Sequence, residues 1–366
     1  MLFPSDACPR LVVKVGSALL VEPDGSVRRD WLAGLVSEIA GRHRAGQQVA
    51  VVSSGAIALG ARRLGLSRGG RASLEDAQAA AAIGQIALCR VWSELLAAEG
   101  IEAAQMLVTL DDLEDRRRYL NAAATLSRLL ALGAVPVVNE NDSVATAEIR
   151  FGDNDRLAAR VAQAAGASAV VLLSDVDGLY DANPHTHADA RHISRVERID
   201  AVAGMADGGS ASGMGSGGMA SKVAAARIAT SAGIPLAIAS GRVDAPLSGP
   251  HRHTIFAAER TAPARKAWLA GGLTARGRIH VDAGAARALS GGSSLLAAGV
   301  LRVEGSFARG DLVAIDGPDG PIARGLSEYD SAQAARLLGH RSEEHAAILG
   351  HEPRAALVHR NHLALL

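Results

Sequence analysis

Leu11-Val12-Val13-Lys14-Val15-Gly16-Ser17 is an apolar run interrupted by one lysine and closed by a glycine. Such a run reads as a buried strand ending in a turn. Outward from it, Trp31, Leu35, Val36 and Ile39 share one helical face, which predicts a helix over Asp30–Arg44. Gln48–Val52 is the next strand, closed by Ser53-Ser54-Gly55. The alternation continues through helix Ser73–Glu99, strand Ala104–Val108, helix Arg116–Leu132 and strand Ala134–Val138. Helix Asp153–Ala165, strand Ala169–Leu173, helix Met219–Ala232 and strand Ile234–Ala239 complete it. Strands alternating with helices over roughly 250 residues predict an α/β domain with a mainly parallel sheet. Such sheets bind ligands at the carboxyl ends of their strands. The polar clusters there are Gly16-Ser17, Ser53-Ser54-Gly55, Asn139-Glu140-Asn141-Asp142 and Ser174-Asp175.

The chain has 366 residues, which suggests two domains. From Pro246 to Gly272 the pattern breaks into Pro, His, Arg and Gly, and short alternating runs follow. These runs are Arg278–Val281, Val300–Val303, Leu312–Ile315 and Ala355–His359, with helical patches at Ala283–Leu289 and Ser331–Leu338. The expected division is a first domain over 8–258, a linker over 259–274 and a small β-rich domain over 275–362.

Composition removes several function classes. An apolar content of 48% excludes a wholly disordered chain. Lys+Arg and Asp+Glu both number 38, so the basic excess of a general nucleic-acid or anionic-membrane binder is missing. Arg276 onward is balanced too, with ten Arg against ten Asp and Glu. Aromatics at 3% argue against stacking platforms for single-stranded nucleic acid. Cys8 and Cys89 cannot form a disulfide framework, which fits a reducing cytoplasm. No run approaches the ~18 apolar residues of a membrane span. Met1–Arg10 lacks the layout of a signal peptide.

Only three of the 38 basic residues are lysine: Lys14, Lys222 and Lys266. A lysine inside a buried strand is costly unless paired or working, so Lys14 is a functional candidate. Gly208–Gly218 is glycine-rich and runs through Ser216-Gly217-Gly218-Met219-Ala220-Ser221-Lys222 into a helix. Glycines allow close backbone approach, a helix N-terminus favours anions, and a lysine adds a mobile charge. The stretch is a candidate phosphate loop, although it matches neither the Walker A nor the Rossmann spacing. Asn139–Asp142 and Gly152–Asp155 could bind a metal or act as turns and caps. His185, His187, His192, His251 and His253 sit in Pro- and Asp-rich stretches and read as solvated loop residues. Nothing resembles a Ser-His-Asp arrangement.

Six motifs occur in order: VVKVGSALL (12–20), VSSGAIALG (52–60), PVVNENDSV (136–144), FGDNDRLAA (151–159), LLSDVDGLY (172–180) and SGGMASK (216–222). On them the chain resembles the amino-acid kinase family, and residues 276–331 resemble the PUA domain that many bacterial members carry. The resemblance implies a three-layer α/β sandwich with a mainly parallel central sheet, plus a small C-terminal β-rich domain. It implies ATP held by Lys14, Ser174, Asp175 and by Ser216, Gly217, Gly218, Met219, Ala220, Ser221 and Lys222. Ser174, Ser216 and Ser221 stand where the family often has threonine, which keeps the hydroxyl. Within the family, the substrate motifs and the tail resemble members that phosphorylate the side-chain carboxylate of L-glutamate, the first step of proline biosynthesis. Ser54, Asp142 and Asn154 would hold glutamate, Lys14 and Lys222 would flank the transferred phosphoryl group, and Asp155 would orient both lysines. Mg²⁺ would bridge the ATP phosphates. The resemblance further implies a cytoplasmic homo-oligomer, dimer or tetramer, with proline inhibition and hand-off to glutamate-5-semialdehyde dehydrogenase. No membrane partner and no RNA binding by the PUA-like domain are expected. Acetylglutamate, aspartate, carbamate and uridylate kinases would share the ATP half. An RNA-associated protein and an inactive sensor are the readings from other classes.

Overall fold

The computed structural model describes all residues except 23, 145–152, 185, 207–217, 259–274 and 352. Side chains of 203–206 are also outside the description. The chain divides into two compact units, Met1–Leu113 with Ala122–Arg260, and Glu114–Asn121 with Thr261–Leu366. The expected linker over 259–274 lies outside the described residues.

The strands of the large sheet are β1 (Arg10–Val15), β2 (Gln48–Ser53), β3 (Ala103–Val108), β4 (Val135–Glu140), β5 (Ala169–Ser174), β8 (Arg195–Val196), β9 (Leu236–Ser240) and β10 (His253–Phe256). A small antiparallel pair, β6 (Leu179–Tyr180) and β7 (His192–Ile193), stands beside it. The sheet order is β3-β4-β2-β1-β5-β9-β10-β8. Neighbours run parallel except β10 on β9, so the expected mainly parallel sheet is present. β1 lies at the centre, where the chain turns to β2 on one side and β5 on the other. In register, Lys14 stands beside Val52 and Leu172. Leu11–Val15 are all buried, as the apolar run requires.

The helices are α1 (Ser17–Leu20), α2 (Arg29–Arg44), α3 (Ala56–Leu64), α4 (Leu74–Ala98), α5 (Leu110–Glu114), α6 (Arg116–Ala131), α7 (Asn154–Ala165) and α8 (Met219–Ser231). Ser73 caps α4 by accepting from the Asp76 amide, and Asp153 caps α7 by accepting from the Arg156 amide. By length and composition α4 could cross a membrane, which corrects the expectation that no such stretch exists. Scattered polar residues such as Gln85 and Arg90 hide its mean hydropathy from a count of uninterrupted apolar residues. One face of the helix packs in the domain interior: Ala77, Ala80, Ala81, Leu88, Trp92 and Leu96 are buried, whereas Ile86 is exposed.

Three further differences from the sequence expectations have physical causes. β4 runs two residues past the expected Val138, so Asn139 and Glu140 are buried strand residues rather than loop. β10 lies inside the stretch read as pattern-breaking from Pro246. Its alternation is only four residues long, too short to stand out among flanking Pro, Gly and His. α3 is absent from the expected elements because Ser53-Ser54-Gly55 reads as a stop. Gly55 at φ 107° turns the chain directly from β2 into that helix, a conformation favouring glycine.

The second unit has a five-stranded sheet of order β12-β11-β13-β14-β15. The strands are β11 (Gly277–Val281), β12 (Val300–Gly305), β13 (Leu312–Gly317), β14 (Gly320–Leu326) and β15 (Leu363–Leu365). Helices α9 (Ala283–Ser290), α10 (Ser331–Arg336) and α11 (His345–Leu349) accompany it. The expected strand at Ala355–His359 is a correction: only Val358 forms a bridge there, with Leu295. Ala356, Leu357 and Val358 are buried, so their apolar run marks core packing without a ladder. β14 pairs on both sides despite its Gly-Pro start and its central Arg324.

Candidate active site

The carboxyl ends of five strands open into one cleft of about 1160 Å³. Lys14 of β1, Ser54 after β2, Asn139 of β4, Ser174 of β5 and Ser240 of β9 line it. The starts of α7 and α8 contribute Asn154, Gly218, Met219 and Lys222. All of these residues belong to the first unit.

At the centre, one carboxylate holds both lysines. Lys14 Nζ lies 2.5 Å from Asp155 Oδ1, and Lys222 Nζ lies 3.0 Å from Asp155 Oδ2. The three groups come from β1, α7 and α8, and are 7%, 1% and 4% exposed for Lys14, Asp155 and Lys222. Burial opposes ionisation of Asp155, but the two ammonium groups outweigh it and hold its carboxyl below the ordinary range. Two cations on one anion leave a net positive centre in low-dielectric surroundings, which suits an incoming polyanion.

One side of the cleft is lined by amides. Asn154 Nδ2 donates to Ser54 Oγ at 2.8 Å and to Asn139 Oδ1 at 3.1 Å. Asn139 Nδ2 donates in turn to Gln85 Oε1 of α4 at 2.7 Å. Asp142 and Arg71 line the same cleft. Asp142 Oδ1 and Asn154 Oδ1 are buried without a hydrogen-bond partner among the described residues. Burial pushes the Asp142 carboxyl up to about 6, although the Arg71 guanidinium pulls the other way.

The other side is built by Ser174, Asp175 and the start of α8. Ser174 Oγ donates to Asp175 Oδ1 at 3.0 Å, and the Gly241 amide donates to the Ser174 carbonyl at 2.8 Å. α8 begins after Gly218 with no side-chain cap, so its first amides are presented by backbone alone.

Of the candidates from sequence, Lys14, Ser54, Asp142, Asn154, Ser174, Asp175, Gly218, Met219 and Lys222 line the cleft. Asp155 lies beneath it, bonded to both lysines. Ala220 and Ser221 do not line it, and the Ser221 hydroxyl donates to the capping carboxylate of Asp153. Ser216 and Gly217 lie outside the described residues, as does His185. Among the described residues no group of three His, Cys, Asp or Glu side chains could hold a metal ion. His192 sits in β7 and meets the edge of the Tyr180 ring. The cleft residue Asn139 belongs to a cluster singled out from the sequence, whereas Arg71, Ser240, Arg242 and Arg252, and Gln85 behind Asn139, are site residues that the sequence reading missed. The missed residues lie on helices, loops or a strand end without local signal.

Residues 9–240 match the amino acid kinase family. The chain belongs to the amino acid kinase family. Residues 277–349 of this amino acid kinase match the PUA domain. Over 100% of both chains it is 71% identical to the glutamate 5-kinase of Sphingopyxis alaskensis. It is 62% identical to the glutamate 5-kinase of Novosphingobium aromaticivorans, over 100% of this chain and 98% of that one. The glutamate 5-kinase of Zymomonas mobilis is 60% identical over 100% of this chain and 93% of its own. The amino acid kinase match covers every cleft residue from Lys14 to Ser240.

Proposed function

We propose that this amino acid kinase transfers the γ-phosphoryl group of ATP to the side-chain carboxylate of L-glutamate, giving L-glutamyl 5-phosphate and ADP. This is the first step of proline biosynthesis. The sharing of Asp155 by Lys14 and Lys222 at the carboxyl ends of the strands carries the reading. The full-length likeness to three glutamate 5-kinases supports the acceptor.

The chemistry asks little of the protein beyond charge and placement. A glutamate side chain ordinarily titrates at about 4.3, so it is already ionised at neutral pH and needs no general base. A carboxylate oxygen attacks phosphorus, the bond to the ADP oxygen breaks, and that oxygen keeps the electron pair. The barrier is the approach of an anion to a polyanion. Lys14 and Lys222 offset it by holding charge on the phosphoryl oxygens, and Asp155 keeps both ammonium groups in place. Mg²⁺ arriving with ATP would add positive charge against the phosphoryl oxygens. Ser174, Asp175, Gly218, Met219 and Lys222 form the nucleotide side. Ser54, Asp142 and Asn154 form the acceptor side.

The reading extends to a cytoplasmic homo-oligomer inhibited by proline, which passes its unstable acyl phosphate to glutamate-5-semialdehyde dehydrogenase. The deciding experiment traps that product. Protein, Mg-ATP and hydroxylamine are incubated with glutamate, aspartate, N-acetylglutamate or no acceptor. Hydroxamate with glutamate alone is expected. Hydroxamate with another acid, or with none, would overturn the acceptor assignment.

A further inference from the structure

We infer that Gln85 is a positioning residue that completes an amide relay, in which Asn154 offers its carbonyl oxygen to the α-ammonium group of the acceptor amino acid. The inference rests on the acceptor reading above. Its basis is a chain of hydrogen bonds whose polarity has one unambiguous anchor. The backbone amide of Glu140 donates to Asn139 Oδ1 at 2.9 Å. A backbone N–H can only donate, so that side-chain atom must be the oxygen. The Asn139 nitrogen therefore points the other way, to Gln85 Oε1 at 2.7 Å. Asn139 Oδ1 also receives Asn154 Nδ2 at 3.1 Å, and the second hydrogen of that nitrogen goes to Ser54 Oγ at 2.8 Å.

Both donors of the Asn154 amide are thus consumed inside the protein, and only its oxygen remains. That oxygen is buried, without a partner among the described residues, on a residue lining the cleft. Asp142 Oδ1, on another cleft residue, is in the same condition. Two buried acceptors that lack donors are costly until a donor arrives. A group with several N–H bonds and a positive charge fits both, and the α-ammonium of an amino acid is such a group.

Gln85 matters because it supplies the acceptor for the Asn139 nitrogen, the partner that the Glu140 amide does not provide. It is buried at 9% exposure on α4, next to Gly84, where a Cβ would meet the Ala56 carbonyl oxygen at 1.7 Å. That close crossing of α3 and α4 brings a helix residue to the end of β4.

The test uses the full-length protein with Gln85→Met, which keeps shape and loses the acceptor, and Gln85→Glu, which keeps the acceptor. Gln85→Met should raise the KM for glutamate about tenfold, the scale of one lost buried hydrogen bond, and leave the KM for ATP unchanged. Inhibition by glutarate, which has both carboxylates and no ammonium, should be the same in Gln85→Met and wild type. Gln85→Glu should restore a wild-type KM for glutamate, and it carries the test if Gln85→Met does not fold. An unchanged glutamate KM in Gln85→Met would overturn the proposal. So would equal weakening of glutamate and glutarate, or a Gln85→Glu protein with a tenfold higher glutamate KM. Absence of glutamyl hydroxamate from the wild type would overturn the acceptor reading and this proposal together.

Discussion

Asp155 makes a depressed carboxyl useful, whereas Asp142 carries a raised one. Burial works against the charge of both, but only Asp155 has two ammonium groups at bonding distance. Removing either lysine should therefore cost turnover rather than substrate affinity. Lys14→Ala and Lys222→Ala are each expected to lower kcat by about 10² or more in the hydroxamate assay. Turnover like that of wild type in either would remove that lysine from the mechanism. The sign for Asp155 is that of a lowered acid. Its contribution to stability is complete above the ordinary carboxylate value and is lost as pH falls through its folded value. Asp142 has the opposite sign. Its carboxyl lies at about 6 in the folded protein, so its burial costs stability above that pH and nothing well below the ordinary value. Asp142→Asn should raise the Tm of the ligand-free protein at pH 8 and leave it unchanged at pH 3. If the ionised Asp142 receives the acceptor's ammonium, kcat/KM for glutamate should fall as pH drops through about 6. The same profile in Asp142→Asn would assign the titration to another group.

Elements in this protein are held by contacts that helical periodicity does not record. The α3–α4 crossing depends on two glycines. A Cβ on Gly60 would lie 1.7 Å from the Ala80 carbonyl oxygen, and one on Gly84 at 1.7 Å from that of Ala56. By propensity alone, Gly→Ala inside a helix gains up to about 1 kcal/mol. At Gly84 the overlap with backbone dominates, and Gly84→Ala should lower Tm by more than about 5 °C. Gly41 on α2 is the control, because a Cβ there meets nothing within 4 Å. Gly41→Ala should leave Tm unchanged or raise it. Comparable losses at both positions would show that propensity and backbone entropy, not the crossing, govern these sites. The helix faces, caps and buried strands were legible because each is local: Asp153 caps α7 three residues from the amide it accepts from. β10 and α3 were hidden because a four-residue strand and a glycine-initiated helix leave little local pattern.

At the scale of the whole chain, every described residue lining the cleft falls between Lys14 and Arg252, inside the first unit. A chain ending at residue 258 should therefore still form glutamyl hydroxamate with kcat within about threefold of the full-length protein, as a unit with its own core and site can. Loss of turnover in a folded truncated protein would assign a catalytic contribution to the second unit. The sequence by itself determined the alternating α/β order, the parallel sheet and the unusual standing of Lys14 and Lys222. These follow from apolar spacing, glycine placement and scarcity, which are properties of neighbours along the chain. Only the tertiary structure gave the distances, 2.5 and 3.0 Å, at which Lys14 and Lys222, 208 residues apart in number, meet the carboxylate of Asp155. It also decided that Gln85 reaches Asn139 and that Asp142 is buried deeply enough to hold its proton to about pH 6. Hydrogen bonding and desolvation depend on which groups meet in space, and sheet order with helix crossing, rather than local pattern, sets those meetings.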